Sequence, residues 1–280
     1  MNIRRGRRNA RTRDKAIQNG DEPKTQNYKT LAAFSKILYL FNEPGVEELG
    51  VTEISKTLNM DSSKASRMLA TLERERLFER NQETGKYRLG VIFLGLGMVF
   101  AFHFPLRKIV RPHLELIAKE MGVTTSFGIL SGYHVITIDR IANLNIDLIA
   151  HRIGSNLPLH STSIGKILMA YLSEEKQEEM LASVDLIKFT ESTIVDPIAL
   201  MGRLQLYRTW GYATDEGETH EELNSIAAPI KNSLGEVVAA LNLLGERSRI
   251  SDEELFKNAD YIKDKALFIS RQLGYLYPAT

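Results

Sequence analysis

Apolar positions are spread unevenly along the chain. Residues 1–27 offer almost nothing to a core, and a polar, arginine-rich stretch of this kind reads as a disordered basic arm. From Thr30 onward Leu31, Phe34, Ile37, Leu38 and Phe41 recur every three or four residues, which predicts an amphipathic helix ending near Asn42. A short helix capped by Thr52 follows, with Ile54 and Leu58 on one face and Asn59 as a left-handed stop. Met60 plugs the turn, Asp61 or Ser62 caps a third helix running to about Arg76, and the pair forms a helix-turn-helix. Beyond it LFER and KYRL flank NQETG. Tyr87 and Leu89 alternate there with Lys86 and Arg88, predicting a β-hairpin with a basic edge, the wing of a winged helix.

The third helix carries the sharpest chemical signal. Ala65, Met68, Leu69 and Leu72 make one apolar stripe. The opposite face holds Ser63, Arg67, Ala70 and Arg74, flanked by Lys64, Ser66 and Thr71, with no carboxylate. Short hydroxyls and long cations suit phosphates and the acceptors on guanine, and small residues let the backbone come close. The candidate DNA contacts are therefore Thr52, Ser62, Ser63, Lys64, Ser66, Arg67, Thr71 and Arg74, with Lys86 and Arg88 from the wing. Helix-turn-helix shapes also serve as protein-binding modules, but this charge pattern favours a polyanion.

From Val91 to Phe104 the sequence VIFLGLGMVFAFHF is almost wholly apolar. It is shorter than the roughly 20 residues that span a bilayer, and reads as a linker helix that buries itself against a second subunit. From Pro105 a helix stops at Gly122, then VTTSFGIL and HVITIDRI form a hairpin and DLIAHRI (147–153) a third strand. Residues 154–163 read as a loop, followed by helices from Ile164 to Leu172, from Ser173, and from Asp196-Pro197 to Gly211. SIAAPIK and VVAALNLL are two further strands, and a last helix opens with the capping box Ser251 and Glu254 and runs to Gly274. The expected fold class is α+β: an N-terminal winged helix-turn-helix over 28–90, a linker helix over 91–104, and an antiparallel sheet with flanking helices over 105–280.

Length and charge sharpen this division. The chain has 280 residues, enough for two cores, and no cysteine, which excludes disulfides, thiolate zinc sites and cysteine nucleophiles. Residues 1–90 carry 18 Lys/Arg against 12 Asp/Glu and the remainder 18 against 23. A basic leading third beside an acidic remainder fits a partner rich in phosphate. The twin arginines near the start precede no apolar stretch, so neither an export signal nor a membrane anchor is expected, and the cytoplasm is the expected location.

Three stretches resemble the isocitrate lyase regulator (IclR) family of bacterial transcription factors. They are VTEISKTLNMDSSKASRMLATLERERLF, RIGSNLPLHSTSIGKILMAYL and GYATDEGETHEELNSIAAPI, the last carrying Gly211, Asp215, Glu218, Ser225, Ile226 and Ala227 at the family's intervals. The likeness runs from about residue 28 to 275. Asn59 stands where glycine is usual and Lys231 where an aromatic or histidine is usual. The resemblance implies double-stranded operator DNA as one partner and a small organic or aromatic acid effector as the other, bound in a GAF-like C-terminal domain. It also implies dimers or dimers of dimers, joined through the linker helix, and mostly repressors. Carried over by position, the effector residues are Ser163, Ile164, Asp215, Ser225, Asn242 and Leu244. HSTSIGK and RQLGYLYP look most like the 2-keto-3-deoxygluconate repressor branch, which implies a sugar acid. No cofactor or metal is implied.

An enzyme in the second domain is the rival from another class, built from His160, Ser161, Ser163, Asp215, Glu218 and His220. No G-x-S-x-G elbow presents these serines, and the acidic and histidine spacing matches no common metal site. Gly165-Lys166 lacks the earlier glycine of a phosphate loop and reads as a helix packing position. A non-DNA adaptor is the third alternative, separable by the salt dependence of DNA binding.

Overall fold

The computed structural model describes residues 29–42, 45–142 and 152–276. The arm expected at 1–27 lies outside them, as does most of the strand expected at 147–153.

Helices α1 (Lys29–Leu40), α2 (Val51–Thr57) and α3 (Ser62–Arg74) with the hairpin β1 (Phe78–Arg80) and β2 (Tyr87–Leu89) enclose the first core. Ile37, Ile54, Leu69, Leu72, Phe78 and Tyr87 fill it. The N-cap of α2 is Gly50 and not Thr52, because Glu53 reaches back to the Gly50 N–H and leaves Thr52 exposed inside the first turn. Asn59 takes the left-handed conformation at φ 47°, turning the chain between α2 and α3. Asp61 caps α3 by accepting the Lys64 N–H at 2.9 Å, so Ser62 is the first helical residue. The helix stops at Arg74, and Arg76 turns left-handed at φ 60°. Gly90 closes the hairpin where a Cβ would lie 2.5 Å from the Arg76 carbonyl oxygen.

Helix α4 (Ile92–His103) buries none of its residues. It meets α5 (Pro105–Met121) at an 83° bend, where Phe104 is extended and Pro105 opens the new helix.

The C-terminal core is an antiparallel sheet in the order β5-β4-β3-β8-β7-β6. Its strands are β3 (Thr124–Ser131), β4 (His134–Ile141), β5 (Asn156–Leu157), β6 (Ala213–Glu216), β7 (Leu223–Lys231) and β8 (Val237–Glu246). The helices are α6 (Ser163–Ala170), α7 (Glu174–Ser183), α8 (Pro197–Trp210), α9 (Asp252–Lys257) and α10 (Ala259–Gln272). Both sheet faces are covered. Along β8, Ala239, Leu241 and Leu243 join the core under α5 and α10, while Ala240 joins the core under α6 and α8. Gly165 is required for α6 to settle, since a Cβ there would collide with the Leu159 carbonyl.

Three expectations change. The segment 213–216, given no element between Gly211 and SIAAPIK, is an edge strand, pairing in register with β7 from Ala213↔Ala227 to Glu216↔Asn224. The loop at 154–163 contains β5, which pairs with β4. The final helix is two: the Ser251/Glu254 capping box opens the first, which ends at Lys257, and Asn258 separates it from the second.

Candidate functional site

On α3 the structure turns Ala65, Leu69 and Leu72 inward and leaves Ser62, Ser63, Lys64, Ser66, Arg67, Ala70, Thr71 and Arg74 exposed. Two of these side chains are tied to the helix itself. The Thr71 hydroxyl donates to the Arg67 carbonyl at 2.9 Å, and Arg67 Nε to the Ser63 carbonyl at 3.3 Å. Arg67 thus lies along the helix on its exposed side, and Arg74 pairs in solvent with Glu75.

The wing differs from the basic edge expected of it. Glu79 stands opposite Arg88 in the hairpin register and binds its guanidinium at 2.9 Å. Glu53, the residue that closes the first turn of α2, also binds Lys86 at 3.0 Å. Both cations remain in water but are already neutralised. Within the hairpin Tyr87 is buried while Leu89 is exposed at its end.

In the C-terminal domain the six effector candidates fall on one side of the sheet. Ser163 opens α6, whose N-cap Thr162 accepts the Gly165 N–H at 3.1 Å. Ser163 Oγ lies 2.6 Å from Ser225 Oγ. The Asn242 amide, with its NH2 turned inward, donates to Ser163 Oγ at 2.9 Å and to the Ile226 carbonyl at 3.0 Å. Its other end faces Ser126 Oγ at 3.4 Å. Asp215 and Leu244 both stand opposite Ser225 in the sheet register. Leu244 and Ile164 are buried and supply apolar wall: a Cβ on Gly128 would touch the Ile164 side chain at 3.4 Å.

Sequence reasoning missed part of this site. Lys166, read as a packing position, is fully buried and ion-paired with Glu218 Oε1. Its Nζ also lies 5.6 Å from the centre of the Tyr207 ring. The available signal was a single lysine inside SIGKILMAYL, since a lysine in an otherwise apolar helix requires a buried partner. Burial pushes Glu218 up to about 7, with Lys166 offsetting part of the effect. Burial also raises Asp215, which accepts the Glu218 N–H at 2.7 Å. Ser126 and Thr137, buried polar residues of β3 and β4, were missed as well.

The groups proposed for a hydrolase do not assemble. His160 stacks on Phe189 and its Nε2 meets the Ile187 carbonyl at 2.9 Å, and burial lowers its pKa. The partners of Ser163 are Ser225 and Asn242, neither of them a base. Among the described residues no group of three His, Asp or Glu is placed to hold a metal.

Comparison with known proteins decides the class. The description "Bacterial transcriptional regulator IclR C-terminal" matches residues 100–271, and "IclR helix-turn-helix domain" matches 36–82. The chain belongs to the IclR family. It is 35% identical over 240 residues to the HTH-type transcriptional regulator XynR of Escherichia coli, covering 86% of this chain and 95% of XynR. An IclR homologue of Microbacterium hydrocarbonoxydans, solved in complex with 4-hydroxybenzoate, aligns with a TM-score of 0.71 at 25% identity. That alignment covers 87% of this chain and 98% of the homologue. The C-terminal domain of the E. coli regulator KdgR aligns with a TM-score of 0.55 at 29% identity, covering 61% of this chain and 99% of that domain. This IclR-family chain is a DNA-binding transcription regulator rather than an enzyme, with a helix-turn-helix domain and an effector-binding C-terminal domain. Among the described residues no single helix is long and apolar enough to cross a membrane.

Proposed function

We propose that this regulator is a cytoplasmic repressor that reads a symmetric operator as a dimer and is controlled by a small organic acid. The observation that carries the reading is the outer face of α3, where hydroxyls and cations stand exposed with no carboxylate among them while the opposite stripe is locked into the core. Laid in a major groove, Ser62, Ser63, Lys64, Ser66, Arg67, Thr71 and Arg74 meet base edges and phosphates. Thr52, Lys86 and Arg88 contact the flanking backbone, the last two after exchanging their carboxylates for phosphate.

The chain is divided into a basic arm (1–27), the reading domain (28–90), a linker (91–104) and a sensor (from 105). The dimer forms through α4, supported by eight large apolar side chains left exposed between Val91 and Phe102. In the sensor, Ser163, Ser225 and Asn242 bind the effector's polar groups, with Asp215 accepting from a hydroxyl and Ile164 and Leu244 as apolar wall. A site rich in hydroxyls favours a sugar acid. The effector prefers one arrangement of the dimer, and the linker helices turn that preference into half-site spacing.

Titration of labelled operator fragments across salt concentrations tests the DNA reading. The regulator predicts a log–log slope of several units, about 0.9 for each phosphate neutralised; affinity insensitive to salt and sequence overturns it in favour of an adaptor. A thermal-shift screen of sugar acids and aromatic acids tests the sensor, with stabilisation growing with concentration expected for a true effector.

A further inference from the structure

Beside the Ser163–Ser225–Asn242 cluster lies a set of buried charges that effector recognition has not yet used. Lys166 follows Ser163 by one turn on α6 and is fully buried. It pairs with Glu218 Oε1, while Asp215 sits opposite Ser225 on the adjoining strand. One ammonium is therefore enclosed with two carboxylates. The two are not held alike: Asp215 Oδ1 accepts the N–H groups of Glu218 at 2.7 Å and Thr219 at 3.3 Å. Glu218 Oε2 is buried and among the described residues meets no donor, on a side chain only 7% exposed.

With all three ionised, the set is net negative in a space of low dielectric, and an acid arriving as its anion would add a further like charge. A proton on Glu218 relieves this, since its bare oxygen has room for one and neutral Glu218 no longer holds the ammonium. On the footing of the acid-binding reading above, we propose that the sensor takes up a carboxylate anion together with one proton, Glu218 receiving the proton at Oε2 and Lys166 exchanging Glu218 for the effector's carboxylate.

The surroundings allow this exchange. From α8 the Tyr207 ring faces Lys166, and the exposed Arg203 lies over the same ring at 5.9 Å. From the loop before α6, His160 has its pKa lowered by burial and its Nε2 meets the Ile187 carbonyl at 2.9 Å. Thr193 and Thr190, before α8, donate hydroxyls to the Glu218 carbonyl at 2.6 and 3.3 Å and bring no charge. Glu216 adds a weaker repulsion from β6, and Arg247, near Gly217, is held by Asp252 at 2.7 Å. Burial already places Glu218 at about 7, so a modest added repulsion loads it near neutrality.

Calorimetric titration of the full chain with D-gluconate and with 4-hydroxybenzoate, in buffers of different ionisation enthalpy, measures the proton directly. At about pH 8 the binding enthalpy is expected to track the buffer with a slope approaching one proton taken up per acid, falling toward none near about pH 5.5. The Kd weakens about tenfold per pH unit above neutrality. Glu218→Gln, which keeps the shape and removes the titration, should bind with no buffer dependence and a flat pH profile. Binding by the wild type without proton uptake at the higher pH, or the same uptake in Glu218→Gln, overturns the proposal while leaving the acid-binding reading intact. Failure of both acids to bind wild type and variant at any pH overturns the two together.

Discussion

Individual side chains on the DNA face differ in how free they are to act. Among the described residues Arg67 meets no carboxylate and lies on the exposed face of α3, its Nε bonded to the Ser63 carbonyl, whereas Arg88 is held by Glu79 and Lys86 by Glu53. Arg67→Ala should weaken operator binding by roughly 1 to 3 kcal/mol, and fluorescence anisotropy at fixed salt measures it. Arg88→Ala should cost less and change the salt slope by well under one unit, because releasing Arg88 from Glu79 opposes its transfer to phosphate. Equal losses in the two variants would mean that the wing's ion pairs do not restrain it. Glu218 offers a prediction in stability. Its folded pKa of about 7 lies above the ordinary 4.5, so the native state binds this proton more tightly than the unfolded chain. The group's contribution is complete below about 4.5 and is lost as pH rises through 7. Melting curves from acid to neutral pH should show the wild type losing stability relative to Glu218→Gln, and parallel curves would place the titration elsewhere.

Among the elements, β4 and α5 form the connection between sensor and linker. Thr137 on β4 is buried, and two residues on Asp139 is buried against α5, held by Arg107 at 2.9 Å and Arg111 at 3.0 Å. Those arginines belong to the first turns of the helix that begins at the 83° bend from α4. Asp139→Ala should destabilise the domain in urea unfolding. The cost should fall below the roughly 3 to 5 kcal/mol of breaking a fully enclosed pair, because both guanidinium groups keep contact with water. An unchanged midpoint would show that water replaces the carboxylate without loss.

For the whole molecule, the outstanding feature is an apolar helix that none of the described residues covers. Leu94 and Val99 are 68% and 59% exposed, a state that association relieves. Leu94→Glu with Val99→Glu should convert the proposed dimer to monomer in sedimentation velocity. Operator affinity should fall by about 100-fold or more, since two half-sites are no longer engaged together. A dimer persisting in the double variant would assign the interface to another surface.

The two cores, the helix-turn-helix and most of the C-terminal elements were legible in the sequence because their causes are local. A 3.6-residue apolar period, a capping aspartate before α3 and a glycine after α5 or α8 each act within a turn or two. The face of α3 could be read for the same reason, since one helix fixes which residues stand together. Residues distant in sequence could be joined only by tertiary structure. Edge strand β6 is four residues long and recognisable chiefly by its pairing with β7. The neutral wing depends on Glu53 and Glu79 meeting cations on another turn or strand. The Lys166–Glu218 pair spans 52 positions, and no periodicity reports a charge whose partner arrives from across a sheet. What the chain encodes residue by residue is where helices start, stop and turn their apolar sides; which charges end up buried together is decided when the sheet closes, because only burial makes their pairing obligatory.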